Sequence, residues 1–195
     1  TAPDHVLLRR AFAEGRDGSR TGKRLLISCG GGEDRGLALR AVEALAARAD
    51  LAEVEGTVVL GAVAADYADR VRAAAAALGG LTVTDHVADM AALIAQHDIA
   101  IGTPAGSAME RACLGLAQIL VPIADNQMAL GAALHDRGAA ITLDRDADGA
   151  AVAEALARLL ADDGARAGLA ATGFALIDGR GAARVAAVAA ERFGR

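Results

Sequence analysis

Short apolar runs alternate with amphipathic stretches along most of this chain. The apolar runs span four to six residues each, at 24–29, 57–61, 81–84, 98–101, 118–123 and 139–143. Most of them are continuously apolar and lack the polar–apolar alternation of a half-exposed sheet. Such runs are typical of strands that are covered on both faces, as in a parallel sheet. We therefore predict six strands.

The amphipathic stretches predict a helix after each strand, at 36–48, 66–78, 89–96, 107–114, 127–137 and 148–161. In the first of them, Leu37, Val42 and Leu45 mark an apolar face. The arginines Arg35, Arg40 and Arg48 are predicted to face water. The tail from 164 to 195 predicts further helices, broken near Gly173 and near 179–181. Repeated βα units imply an α/β fold, a right-handed, Rossmann-like parallel sheet with helices on both faces.

The first 23 residues differ in composition from the rest. Residues 1–14 predict a short arm with an apolar patch at 6–8, and residues 15–23 have the small and charged composition of a linker. We expect one domain over 24–195. The chain starts with Thr1 instead of Met, as an excerpt or a processed product would.

Composition excludes several classes of function. Hydrophobic residues make up 54% of the chain and aromatics 2%, so the core is aliphatic and no aromatic platform for stacked bases is expected. A net charge of −5 gives no reason to expect nucleic acid or an acidic membrane as partner. The arginines are scattered, as on solvated helix faces. The best apolar run, 114–124, is broken by Gln118 and Pro122, so no membrane span is predicted.

The two cysteines and the N-terminal residues give expectations about the cellular compartment and about metal ions or cofactors. Cys29 and Cys113 lie in apolar segments without metal-ligand spacing, which predicts buried free thiols, no disulfide and no metal site. No signal peptide is visible, so we expect a cytoplasmic protein. No cofactor is expected.

In an open α/β sheet, ligands bind at the carboxyl ends of the strands, so the loops there are the candidate sites. The first strand ends in Gly30, Gly31 and Gly32, which allow a ligand to approach the backbone closely. The loop matches neither G-x-G-x-x-G nor a P-loop, so neither an NAD nor an ATP fingerprint is supported. It is either a plain tight turn or a ligand contact.

The loop after the fourth strand combines three features. Small residues lead into a helix start with Gly106 and Ser107, and Glu110 follows on the first predicted turn. Such a turn presents N–H groups to an anion, usually a phosphate, with the glutamate close to sugar hydroxyls. The alternative is a capping box with Ser107 as N-cap and Glu110 at the third helical position. The two interpretations are compatible.

The loop after the fifth strand carries Asn126 and Gln127, whose amides suit sugar hydroxyls. Asp125 or Asn126 is alternatively the N-cap of the next helix. Among the histidines, His86 follows the third strand on the binding side, whereas His97 and His135 are predicted at the surface. No Ser–His–Asp order or paired carboxylates stand out, so the chain is incomplete as a catalyst.

Three segments together resemble a known family. The runs D-M-A-A-L-I-A-Q-H-D-I-A-I-G at 89–102, E-R-A-C-L-G-L at 110–116 and A-D-N-Q at 124–127 are similar to the C-terminal half of one group of hydrolases. These are the UDP-2,4-diacetamido-2,4,6-trideoxy-β-L-altropyranose hydrolases, which act in pseudaminic acid synthesis for flagellin glycosylation. Related proteins are named for spore-coat polysaccharide biosynthesis. All share the GT-B architecture.

The resemblance implies a GT-B C-terminal-type domain that binds a UDP-sugar and works with an N-terminal domain absent from these residues. The glycine loop would lie near the diphosphate, and the backbone of Val87 would contact the uracil edge. Glu110 would bond the ribose, and Asn126 with Gln127 would approach the sugar. The family reads Gly-Gly-Ser-Thr-Ser-Trp-Glu where this chain has 104–110. The alternatives are the C-terminal domain of a GT-B glycosyltransferase and a non-catalytic nucleotide-sugar-binding module.

Overall fold

A computed structural model describes residues 3–18 and 22–193 of the chain. Its centre is a parallel sheet of six strands in the order β3-β2-β1-β4-β5-β6. The strands are β1 Leu25–Ser28, β2 Gly56–Val59, β3 Leu81–Thr84, β4 Ile99–Gly102, β5 Ala117–Leu120 and β6 Ile141–Thr142. All six predicted strands are confirmed.

Nine α-helices lie within the described residues, with short 3-10 turns at Pro3–His5 and Ala49–Leu51. They are α1 Arg10–Glu14, α2 Leu37–Ala46, α3 Ala65–Ala76, α4 Met90–Ala95, α5 Gly106–Cys113, α6 Asp125–Asp136, α7 Gly149–Ala161, α8 Asp163–Leu176 and α9 Gly181–Phe193. Helices α2, α3 and α7 pack on one face of the sheet. Helices α4, α5 and α6 pack on the other face.

The central strands are buried on both faces, which explains their unbroken apolar sequence. Leu25 and Ile27 of β1 pack into the core under α2, α3 and α7, while Leu26 packs into the opposite core. Strand β1 pairs with β4 in register from Leu25–Ile99 to Ser28–Gly102. The carboxyl ends of β1 and β4 therefore lie side by side.

Two predictions about individual residues on these elements were wrong. Helix α8 runs through Gly173 without a break, and this glycine lies on the side that packs against α5, where a Cβ would be in ordinary van der Waals contact, 3.4 Å from the Cβ of Ala112. The break near 179–181 is confirmed. His97 is buried, since its Nδ1 lies 2.8 Å from the carbonyl of Leu93 and its Nε2 lies 3.0 Å from the hydroxyl of Thr57.

The N-terminal arm packs onto the domain. Phe12 is fully buried, and Arg16 stacks 3.6 Å from the ring centroid of Phe174. The Arg16 guanidinium donates to the carbonyls of Cys113 and Phe174, each at 2.9 Å, and to that of Ile177. The arm is thereby fixed against α5 and α8. The domain start at residue 24 stays a prediction, and part of the linker, 19–21, lies outside the described residues.

Candidate functional site

The candidate site is the crevice between the carboxyl ends of β1 and β4. The chain leaves β1 toward β2 on one side and leaves β4 toward β5 on the other, so the following loops diverge. In open α/β sheets, ligands bind at this point of divergence. The loop after β1 carries the three glycines, and the loop after β4 leads into α5.

The glycine loop is held in shape by its neighbour and leaves open space in front. Gly30 has a φ of +94°, which glycine adopts without strain. Gly61, after β2, lies so close that a Cβ there would be 2.7 Å from the carbonyl oxygens of Gly30 and Gly32. By contrast, a Cβ on Gly31 or Gly32 would meet no atom of the described chain within 4 Å. Packing therefore does not require these two glycines, although a close ligand would.

The start of α5 faces the glycine loop. Its N-cap is Ala105, and none of the described side chains caps it. The hydroxyl of Ser107 is buried, has no hydrogen-bond partner within residues 3–18 and 22–193, and lies 3.8 Å from where a Cβ on Gly30 would be. The capping-box interpretation is therefore wrong. Because α5 begins at Gly106, one residue earlier than predicted, Glu110 falls on the second turn.

Arg111 fixes the floor of the crevice. It is fully buried, and its guanidinium donates to the carbonyls of Ser28 at 2.9 Å and Thr103 at 3.2 Å and to the side-chain oxygen of Gln118 at 2.9 Å. One side chain thus ties together the carboxyl ends of β1 and β4 and the second residue of β5. Burial lowers the pKa of Arg111 to about 10, so it stays cationic at neutral pH and favours an anion in the crevice. The expectation of solvated arginines was wrong for this residue.

Glu110 lies one turn further along α5 and is half-buried. Burial raises the pKa of this carboxyl, and the cations Arg9 and Arg111 offset part of the rise. The nearer ion pair joins an Oε of Glu110 to Nη2 of Arg9, 3.8 Å away. A partly desolvated carboxylate can accept hydrogen bonds from a sugar diol, which is the role predicted for it.

Asp34 satisfies the start of α2 on the opposite side of the crevice. Its carboxylate accepts from the N–H groups of Gly36 at 2.9 Å and Ala38 at 3.0 Å and from the hydroxyl of Tyr67 at 2.8 Å. The carboxylate is buried and occupies the place where an anion would bind this helix. An anionic ligand therefore finds open donors at α5 and not at α2.

Cys29 precedes the glycine loop and is the thiol nearest the crevice. Burial raises its pKa to about 12, so it is a neutral thiol at physiological pH. Because the thiolate is the reactive form, Cys29 is not poised as a nucleophile. Both cysteines are free, as predicted, with Cys113 buried and Cys29 partly buried.

Asn126 and Gln127 lie on the first turn of α6, which has Ala124 as its N-cap. The alternative that Asp125 or Asn126 caps this helix is therefore wrong, since both residues lie inside it. The side-chain oxygen of Gln127 accepts from the N–H of Ile123 at 2.8 Å, leaving its amide nitrogen for a ligand. Asn126 is exposed and, with Gly106, lines one end of an apolar cavity of about 810 Å³ along α6.

His86 and Val87 lie in the loop between β3 and α4, at the same carboxyl edge. His86 is exposed and Val87 is half-buried. Strand β3 is separated from β1 by β2, so this loop is a neighbour of the crevice and not part of its floor.

The structure thus brings Gly30 and Ser107 together, with Glu110 on the same helix as Ser107. The roles predicted for Gly31, Gly32, Val87, Gly106, Asn126 and Gln127 stay predictions. Three residues that shape the crevice were missed: Arg111, Asp34 and Gly61. Only Asp34 had a sequence signal, an aspartate two residues before a glycine that leads into a predicted helix.

The described residues offer neither a metal site nor a membrane-spanning helix. No group of three or more His, Cys, Asp or Glu side chains there could hold a metal ion. None of the helices in that part of the chain has the length and apolarity that crossing a membrane requires.

Comparison with known proteins gives the fold. No family model and no curated protein matches the sequence. Among solved structures, MurG of Acinetobacter baumannii superposes with a TM-score of 0.70 at 21% identity, over 89% of this chain and 53% of that one. WaaG, a glycosyltransferase involved in lipopolysaccharide biosynthesis, gives 0.67 at 16% identity over 93% and 51%.

A putative UDP-N-acetylglucosamine 2-epimerase from Listeria monocytogenes gives a TM-score of 0.66 at 14% identity, over 94% of this chain and 51% of that one. The chain therefore spans about half the length of each of these structures. Its six-stranded parallel sheet with helices on both faces matches the Rossmann-like domains of GT-B glycosyltransferases. The predicted fold class is confirmed.

Proposed function

We propose that this chain is the nucleotide-sugar-binding half of a GT-B glycosyltransferase, with a UDP-sugar as donor. The observation that carries the proposal is the uncapped start of α5. It faces the open side of the glycine loop and holds a buried Ser107 hydroxyl without a partner in the described chain. Helix N-termini with free N–H groups bind phosphates, and this one lies where α/β sheets bind ligands. The names of the glycosyltransferases with the same fold support transfer over the alternatives.

In this proposal the diphosphate lies between the glycine loop and the start of α5. Negative charge grows on the β-phosphate as UDP leaves the sugar. Backbone donors at Gly106 and Ser107, with the buried cation of Arg111 beneath them, stabilise that charge. Glu110 accepts hydrogen bonds from the ribose hydroxyls, and Val87 borders the uracil. Asn126 and the free amide nitrogen of Gln127 bind the sugar.

The rest of the machinery belongs to a second, N-terminal domain. The structural relatives are about twice as long as this chain, which supports such a partner domain. That domain would supply the acceptor site and the general base that activates the acceptor. This chain alone then binds the donor without turnover.

The second candidate is hydrolysis of the UDP-sugar, with water in place of the acceptor. The segments at 89–102, 110–116 and 124–127 favour it, because they resemble the hydrolases of pseudaminic acid synthesis for flagellin glycosylation. The two functions share every residue named above. A protein that joins this chain to its N-terminal domain distinguishes them, since only a hydrolase releases free sugar from a UDP-sugar at full rate without an acceptor.

Isothermal calorimetry on the 195-residue chain tests the shared part of the proposal. We expect UDP to bind more tightly than uridine, because the phosphates reach α5. Glu110→Ala should weaken both ligands about tenfold or more, the effect of losing hydrogen bonds to a charged group. Glu14→Ala, which removes an exposed carboxylate of the arm, is the control and should change nothing. A chain that ignores UDP at millimolar concentration contradicts the proposal.

A further inference from the structure

We propose that Arg9, on the N-terminal arm, is a positioning residue for Glu110 and makes the arm a part of the nucleotide site. The inference rests on the proposed function, in which Glu110 binds the ribose. Arg9 was given no role by the sequence, and it lies far from Glu110 along the chain.

The Arg9 guanidinium makes two contacts, one with an aromatic ring of the arm and one with Glu110. It lies 5.1 Å from the centroid of the Phe12 ring, at a distance typical of cation–π contacts. Phe12 is fully buried, so this ring is a fixed platform. In addition, Nη2 of Arg9 lies 3.8 Å from Oε1 of Glu110. Both contacts place the guanidinium beside the Glu110 carboxylate, on a part of the arm that Phe12 anchors in the core.

Arg9 is the cation best placed to act on Glu110. Arg111, the neighbouring cation on α5, is turned toward the sheet, where each of its three nitrogens donates a hydrogen bond, to Ser28, Thr103 and Gln118. Arg16, also on the arm, donates to carbonyls at the far end of α5 and at the end of α8. At the start of α8, Arg166 and Asp163 form an ion pair with each other at 2.9 Å.

The chemistry of the site gives this contact its purpose. A carboxylate that accepts from both ribose hydroxyls must be ionised, and burial of Glu110 favours its neutral form. A cation beside one oxygen stabilises the ionised form and leaves the second oxygen free for the diol. Because the Arg9 side chain is 63% exposed and that of Glu110 23% exposed, the effect is modest.

The test is the affinity for UDP as a function of pH, for the 195-residue chain and for three variants. Arg9→Ala should weaken binding about two- to fivefold at pH 7, the range of exposed ion pairs. Removing the cation raises the pKa of Glu110 further, so affinity should begin to fall at a higher pH than in the unmodified chain. Arg9→Lys should recover most of the loss. Arg10→Ala, which removes the neighbouring exposed arginine, should change nothing.

A double-mutant cycle separates positioning from direct contact with the ligand. In a Glu110→Gln background, Arg9→Ala should have no further effect on UDP affinity. An equal loss in both backgrounds would mean that Arg9 binds the phosphates itself, and it would overturn the inference. An acidic limb that does not move in Arg9→Ala would overturn it too.

A measurement without ligand keeps the two proposals apart. Carboxyl NMR of the free chain should show that Arg9→Ala raises the pKa of Glu110. An unchanged pKa overturns the Arg9 inference and leaves the nucleotide site intact. Absence of UDP binding by the unmodified chain overturns the proposed function and this inference with it.

Discussion

The N-termini of α2 and α5 flank one crevice. The first N–H groups of α2 have a side-chain acceptor, whereas those of α5 have none among the described residues. The carboxylate of Asp34 accepts from the N–H groups of Gly36, just before α2, and of Ala38, in its first turn, at 2.9 and 3.0 Å. At α5 the N-cap is Ala105, and no described side chain bonds the free N–H groups. The glycine loop is the more conspicuous of the two loops in the sequence, but it leads into α2, whose first N–H groups are already bonded by Asp34. It contributes space for a ligand, whereas α5 contributes the donors.

The largest expected effect comes from the residue that holds α5 against the sheet. Arg111→Leu should lower the free energy of unfolding by about 3 to 5 kcal/mol, because three buried acceptors lose their donors. Urea unfolding followed by circular dichroism measures it. Arg137→Leu, an exposed arginine at the end of α6, is the control, with an expected change within about 0.5 kcal/mol. A loss below 1 kcal/mol for Arg111→Leu would contradict the bonds described here.

Removing the carboxylate that bonds the start of α2 should lower the stability of the chain and leave its affinity for UDP unchanged. Asp34→Ala removes the cap and leaves the hydroxyl of Tyr67 without its acceptor, so we expect a loss of about 2 kcal/mol in the free energy of unfolding. UDP affinity should not decrease, because the proposed site binds the phosphates at α5 and not at α2. Asp66→Ala, an exposed aspartate on the first turn of α3, is the matched control. A folded Asp34→Ala chain that no longer binds UDP would show that the ligand depends on α2.

Adding a capping carboxylate to α5 should raise the stability of the chain and lower its affinity for UDP. Ala105→Asp places a capping carboxylate in the extended N-cap conformation and should stabilise the chain by about 1 kcal/mol. It should also weaken UDP binding at least tenfold, because the carboxylate takes the phosphate's donors and repels it. Thermal melts and calorimetry measure the two changes. Ala105→Asn adds a neutral cap that occupies the same N–H donors, so equal losses of affinity in both variants would show that loss of the donors, and not charge repulsion, weakens binding.

The smallest effect on stability is expected at the open face of the glycine loop. Gly31→Ala has free space for its methyl group, so the free energy of unfolding should change by less than about 0.5 kcal/mol. UDP affinity should fall, because the methyl group would occupy the space where the proposed site places the diphosphate. Gly168→Ala in α8, where a Cβ also meets no described atom, should leave UDP affinity unchanged. Unaltered affinity in Gly31→Ala would remove this loop from the site.

The fold could be predicted well from the sequence because its signals are local. Each central strand is buried on both faces, so a continuous apolar run marks it without knowledge of its neighbours. The errors fall where a distant partner decides. The buried ring of His97 contacts the hydroxyl of Thr57, 40 residues away along the chain, and Gly173 lies inside a helix on the side that packs against Ala112.

The candidate site was predictable in its location and less so in its parts. The loops after β1 and β4 follow from the βα alternation, and Ser107 does face Gly30. Arg111 could not be found, since its three acceptors lie on β1, on β5 and after β4, and an arginine within a helix has no mark of burial. The lack of a capping side chain at α5 could not be predicted either, because the helix begins one residue earlier than the sequence pattern indicated, with Ala105 at the N-cap.

The way Arg16 secures the arm has a consequence for recombining this domain with others. Arg16 donates to the carbonyls of Cys113 on α5 and of Ile177 after α8. The backbone carbonyl of Phe12 accepts from the thiol of Cys113 at 3.6 Å. A chimaera joined just before β1 would replace both Arg16 and Phe12 with a foreign segment. The apolar residues that Phe12 packs against would then be exposed. Exchange between GT-B proteins should therefore keep the native stretch from about Leu8 onward together with the helices that it fastens.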